Sequence, residues 1–198
     1  FAVRKGFMEH RRFGIFHFHF NKKDYYPLQH AASDAVQRIA PIEVINLAAY
    51  QERTPDTFSD QLYALYCELL QDNDGMEQPF KVSAAHFYEF HTKKALHQPE
   101  GYWLAVDGDR LVGKHVLELR ETGSVLASQT GVLRSHRGKG IARALKYQGM
   151  FWSALQKSNK LVSDIALDNT IMIDWQARLG FRLVEYRYAF IQKLDPTI

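Results

Sequence analysis

The stretch Gln129-Thr-Gly-Val-Leu-Arg-Ser-His-Arg-Gly-Lys-Gly-Ile-Ala-Arg-Ala-Leu-Lys146 decides how the chain is read. It starts as a strand, turns through a glycine-containing basic segment, and continues into a helix. From Gly140 to Gln156, Ile141, Ala144, Leu145, Gln148, Trp152 and Leu155 recur at helical intervals. The first amides of such a helix have no intrahelical acceptor, so a strand, basic turn and helix in this order form an anion site. Gly138 and Gly140 let backbone N–H groups approach a phosphate, and Arg134, Arg137, Lys139, Arg143 and Lys146 add positive charge. Two standard nucleotide loops fail here. A Walker loop needs a hydroxyl after its lysine, where Lys139 is followed by Gly140 and Ile141, and a dinucleotide turn needs a third glycine where Arg143 stands.

Outward from this segment the pattern is mixed α/β. A strand is expected at Ile42–Leu47, a helix at Asp56–Leu70 stopped by Asp72-Asn-Asp-Gly75, and a second helix at Ser83–Leu96. Strands follow at Tyr102–Val106, Leu111–Leu119 and Val125–Leu133, joined by the hairpin signals Asp107-Gly-Asp109 and Glu121-Thr-Gly123. After the basic helix come a strand at Leu161–Leu167, a short helix at Thr170–Leu179 closed by Gly180, and an alternating strand at Phe181–Lys193. The expected fold is one mixed sheet with helices on its faces.

The chain has 198 residues, 46% hydrophobic and 24% charged, enough for one domain with a sizeable core and too few for two complete ones. No apolar run is long enough for a membrane-spanning helix, and Phe13–Phe20 lacks the features of a secretory signal. The lone Cys67 excludes an internal disulfide and a multi-cysteine zinc site, and suits a reducing cytoplasm. A net charge of +3 is too balanced for a dedicated nucleic-acid binder. Residues 5–18 resemble residues 179–192, each a Gly-Phe followed by an aromatic strand. With Phe as first residue, this predicts that 1–20 end a preceding, missing domain, that the polar stretch 21–40 is a linker, and that 41–198 form the main domain. Phe13–Phe20 is then expected to pair at an edge of this sheet, to mediate homo-oligomers, or to belong to an absent partner domain.

Two motifs resemble those of the GNAT (Gcn5-related) N-acetyltransferases. The coenzyme A motif Arg/Gln-x-x-Gly-x-Gly/Ala is met by Arg137-Gly-Lys-Gly140-Ile-Ala142. A later signature, Asn before a short helix ending in Leu-Gly-Phe, is met by Asn169 and Leu179-Gly-Phe181. The resemblance covers about 42–194, and the wording of the first motif looks most like tandem GNAT proteins such as mycothiol synthase.

The resemblance implies acetyl-CoA as acyl donor, with no metal, and direct transfer to a primary amine of a small molecule in a ternary complex. It implies cofactor contacts from Val132, Leu133, Arg137, Gly138, Lys139, Gly140, Ile141, Ala142, Asn169, Met172 and Arg178, with His136 as a further donor in the turn. The backbone of Thr130 would face the thioester carbonyl. The family's tyrosine acid falls on Gln176, so Tyr186 or Tyr188 is a substitute; its glutamate base falls on Leu126, so Glu118 is the nearest acidic substitute. These departures leave an alternative, a catalytically silent coenzyme A-binding domain with a sensing or structural role.

Other residues carry weaker signals. Cys67 is expected to pack, not to carry an acyl group; the pair His17/His19 lacks a third metal ligand, and His86/His91, five apart on a helix, are poorly spaced to share a metal. Tyr50, Glu52, Phe80, Phe87 and Tyr88 come from the region that lines the acceptor groove in the family.

Overall fold

In the computed structural model the described residues are 5, 7–71 and 82–192; the expected helix stop at Asp72–Gly75, Phe80 and the far end of the last strand lie outside them. Seven strands form one sheet: β1 (Met8–His19), β2 (Glu43–Asn46), β3 (Tyr102–Asp107), β4 (Arg110–Leu119), β5 (Val125–Val132), β6 (Lys160–Ala166) and β7 (Arg182–Ile191). Their order is β2-β3-β4-β5-β6-β1-β7, antiparallel throughout except for the parallel β5–β6 pair. The helices are α1 (Tyr25–Gln37), α2 (Leu47–Arg53), α3 (Phe58–Gln71), α4 (Ala84–Phe87), α5 (Lys93–Leu96), α6 (Ile141–Leu155) and α7 (Thr170–Arg178). A π-helical turn, Tyr88–Thr92, joins α4 to α5.

Alternation along β4 assigns the layers. A side chain built on Gly149 of α6 would meet His115 and Leu117, and one on Gly113 would meet Leu145 of α6, so the odd positions of β4 face α6. Lys114 on the opposite face lies beneath Tyr66 of α3, and its cross-strand partner Gly131 lies against Leu69 of the same helix. Helices α1, α6 and α7 thus cover one face, while α3 to α5 cover the other over β3 to β5. Beyond β5 that second face is an open cleft of about 650 Å³ floored by residues such as His17, Leu126, Val162 and Asp164.

Two expectations are corrected. The stretch 21–40 is not an extended linker: it holds α1, which buries Leu28, Ala32 and Ala35 and carries Ile39 into the core. Pro27 does not prevent this, because it occupies the first turn, where its missing N–H would have had no partner. Nor does Phe13–Phe20 pair at an edge. β1 lies inside the sheet, antiparallel to β6 on one side and to β7 on the other, with Phe16 buried at 4% exposure. The strand is completed only by its two neighbours, because both of its hydrogen-bonding sides are occupied. The similar strand β7 takes the edge instead.

Candidate active site

The basic turn keeps the geometry its glycines predict. Gly138 and Gly140 have φ of +78° and +87°, a region that L side chains enter at a cost. Gly140 is the N-cap of α6 and supplies no side-chain cap, so the amides at the start of the helix point out of its end. The turn is braced from behind. Arg137 Nε donates to the Val132 carbonyl (3.1 Å), and His136 bridges Asp107 Oδ2 (3.1 Å) and Ser135 Oγ (2.8 Å). Both His136 nitrogens are thereby engaged, so its role is to tie the turn to β3, contrary to the expected ligand donor. Lys139 and Arg143 remain exposed beside a cleft of about 390 Å³ between the turn and α1. Lys146 departs from expectation more sharply. It is buried with its ammonium over Trp175 of α7 (5.4 Å), and desolvation lowers its pKa to about 8, so it is no part of the exposed basic rim.

The turn is the mouth of a gap in the sheet. Parallel pairing between β5 and β6 runs only from Val125↔Leu161 to Ala127↔Ser163, although β5 continues to Val132 and β6 to Ala166. Beyond Ala127 the strands diverge. Leu133 N–H donates to Val112 on the β4 side, so by alternation Gly131 and Gln129 also face β4. The backbone groups of Thr130 and Val132 therefore face the gap. A register shift opposite Ser128 marks where the strand bends away. An unpaired strand edge inside a sheet accepts an extended amide-bearing ligand as an additional strand.

On the helix side of the gap, Thr130 Oγ1 meets Nδ1 of His115 at 2.9 Å. His115 is buried, and desolvation, aided by Lys146, lowers its pKa to about 3, so the ring stays neutral. Its Nε2 has no partner. Asn169 caps α7 by accepting from Met172 N–H (3.1 Å), which fixes the approach of that helix to β6. Arg178 pairs with Asp174 (2.7 Å) on the solvent side of α7. Gln176, at the family's tyrosine position, is fully buried and donates to Ser163 Oγ (2.8 Å), while its own Oε1 is unpartnered.

On the other face, a cleft of about 510 Å³ lies between the α3–α5 layer and strands β4 and β5, reaching Ser128 and Gln129 at the start of the gap. Glu118 lines it and accepts from Lys94 (3.2 Å). Leu126 lines the open cleft beyond β5. Tyr186 is about half exposed on β7, separated from β6 by β1, so its backbone is roughly 10 Å from β6. Sequence reasoning passed over Lys114 and His115, although a Lys-His pair inside the apolar run Leu111–Leu117 was a visible signal. Cys67 is half-buried, and among the described residues no cluster of three potential metal ligands occurs.

The family model of the Acetyltransferase (GNAT) family matches residues 58–181, a span that includes the turn, the gap and α7. The chain belongs to this family. It is built on the GNAT acyltransferase fold. A GCN5-related N-acetyltransferase from Sphaerobacter thermophilus superposes with a TM-score of 0.70 at 16% identity, over 96% of this chain and 53% of that one. The present chain thus spans about half the length of that protein. AAC(6')-Iy, solved with the bisubstrate analogue CoA-S-monomethyl-acetylneamine, gives a TM-score of 0.55 at 21% identity, over 78% of this chain and 97% of its own. Arabidopsis thaliana Naa50, solved with the bisubstrate analogue CoA-Ac-MVNAL, gives 0.50 at 18% identity, over 73% and 85%. No curated protein matches the sequence at a significant level. The residues of this GNAT chain fit a coenzyme A thioester. Beyond Ala127 the β5 edge offers the backbone of Thr130, the Val132 carbonyl being held by Arg137, and the glycine turn stands open at its end, with nothing within 4 Å of a side chain built on Gly138.

Proposed function

We propose that this GNAT chain transfers the acetyl group of acetyl-CoA directly to the primary amine of a small molecule, both substrates being bound together. The observation that carries this reading is the end of β5–β6 pairing at Ala127, which leaves the backbone of Thr130 and Val132 facing a gap that opens on the basic turn. In this reading the amides of Arg137 to Ala142 hold the diphosphate, with Lys139 adding charge, while Val132, Leu133, Asn169 and Met172 border the pantetheine arm. The Thr130 N–H stabilises charge on the thioester oxygen as it develops. The leaving thiol, with a pKa of ~8.5, departs without strong acid assistance, so the glutamine at position 176 does not forbid turnover. Glu118, in the cleft behind the gap, is the carboxylate that takes the amine's proton. The likeness of residues 5–18 to 179–192 supports descent from a tandem GNAT protein of the mycothiol synthase kind.

The test is thiol release from acetyl-CoA, followed with a disulfide reagent, across a panel of amines. Acceptor-dependent release is expected. Gln176 motivates a second reading, a coenzyme A-binding domain without turnover, because it is fully buried and bonded to Ser163 where a titrating group would stand. Tight acetyl-CoA binding with no acceptor-dependent release across the panel would favour it.

A further inference from the structure

The fold buries the ammonium of Lys114 and gives it no carboxylate. The residue is 7% exposed, its Nζ donates to Gln129 Oε1 (2.7 Å), and the ring of Tyr66 lies 5.9 Å away. Both partners are neutral, and no ion pair to Lys114 occurs among the described residues. Desolvation lowers its pKa to about 8, so at neutral pH most of the charge is still present. A buried cation without a counter-ion is costly, and the cost falls when an anion arrives.

The surroundings point the same way. Lys114 lines the cleft of about 510 Å³ on the face opposite α6. The one carboxylate in that lining among the described residues, Glu118, is matched by Lys94. His91, stacked on Phe87, has its pKa lowered by burial first and by the nearby Lys114 charge second. Among the described residues the cleft therefore carries one unbalanced cation at its floor. Across the ladder Lys114 pairs with Gly131, the neighbour of Thr130 on β5.

We propose that the acceptor is an amine that also carries an anionic group close to its nitrogen, with the Lys114 ammonium as the counter-ion that seats it. This deepens the proposed acetyl transfer and rests on it. It also separates two roles within the cleft: Glu118 at the rim meets the amine, and Lys114 at the floor selects the acid. A wholly cationic polyamine is disfavoured there by the same charge.

The experiment compares amino acids with their own carboxamides, at equal concentrations of unprotonated amine, in the full chain with saturating acetyl-CoA. The expected result is a kcat/KM at least tenfold higher for the acids, with the acid-to-amide ratio falling to about one in Lys114→Met. Equal ratios in the wild-type protein overturn the proposal. A second measurement needs neither turnover nor a variant. Isotope-labelled acetic anhydride acylates accessible neutral amines, and peptide mass spectrometry reads the label on Lys114. The Lys114 label is read relative to that on the exposed Lys157, which corrects for anhydride consumed by the added amine. Millimolar β-alanine is expected to lower the ratio severalfold and β-alaninamide to leave it unchanged; equal ratios with both overturn the proposal. If no amine is acetylated yet the acid protects Lys114, direct transfer fails and the anion site stands.

Discussion

At the scale of single residues, the glycines of the turn separate two kinds of cost. A methyl on Gly138 meets nothing within 4 Å, so Gly138→Ala adds only the strain of a left-handed backbone, about 1–2 kcal/mol. If the turn relaxes to relieve that strain, its amides lose alignment. The expected outcome is a fivefold to tenfold rise in the apparent Kd for acetyl-CoA, read by thermal shift, with only a small fall in Tm. Gly149 is the opposite case. A methyl there would come within 2.7 Å of His115 and Leu117, so Gly149→Ala should destabilise by about 1–3 kcal/mol in urea unfolding and displace the ring that holds Thr130. The buried lysines give a pH signature. Lys114 and Lys146 release their protons near 8 in the folded chain and near 10.5 in the unfolded one. Between those values the unfolded state binds more protons, so stability rises with pH from about 8 to about 10. Above 10 the gain is opposed by Tyr50, Tyr66 and Tyr102, whose pKa values burial raises. Urea midpoints at pH 7, 8, 9 and 10 should trace this rise, at most about 3 kcal/mol per lysine, and Lys146→Met should remove roughly half of it.

At the scale of elements, α7 depends on its cap. Asn169→Ala removes the bond to Met172 N–H and should cost about 1 kcal/mol in equilibrium unfolding, with a larger proportional loss in acetyl-CoA affinity because α7 flanks the gap. Legibility in the sequence also divides by element. The hairpins around Asp107-Gly-Asp109 and Glu121-Thr-Gly123 and the helix after Gly140 were readable because turn chemistry and period are local. α1 was not, because its buried stripe is made of one leucine and small alanines, and its proline suggested a loop. The short α2 offers too few turns to show a period. The position of β1 was unreadable for a different reason: alternation shows that a strand has two faces, and says nothing about which strands flank it. The turn of the candidate site was legible from its glycines. Lys146 was misread because a lysine on an amphipathic helix ordinarily reaches solvent, and only the approach of Trp175 across α7 encloses it.

At the scale of the whole molecule, the sheet is held together by a strand from the start of the chain. β7 pairs with β1 alone, and β6 has β1 on one side and only three paired residues of β5 on the other. Phe16→Ala, at the buried centre of β1, should cost about 3–5 kcal/mol. Deleting residues 1–20 should abolish cooperative unfolding followed by tryptophan fluorescence, because β7 would be left without a neighbour. A truncated chain that still melted in one sharp transition would show that β1 is dispensable.

The interior position of β1 also bears on how the protein is made. The partners of its twelve residues, in β6 and β7, follow only after roughly 140 further residues have been synthesised. Through that interval an aromatic segment with two unsatisfied hydrogen-bonding sides waits in the nascent polypeptide, the kind of exposure that invites chaperone capture. Completion of the β6-β1-β7 half of the sheet therefore waits on the synthesis of β7, and slowing elongation prolongs that exposure.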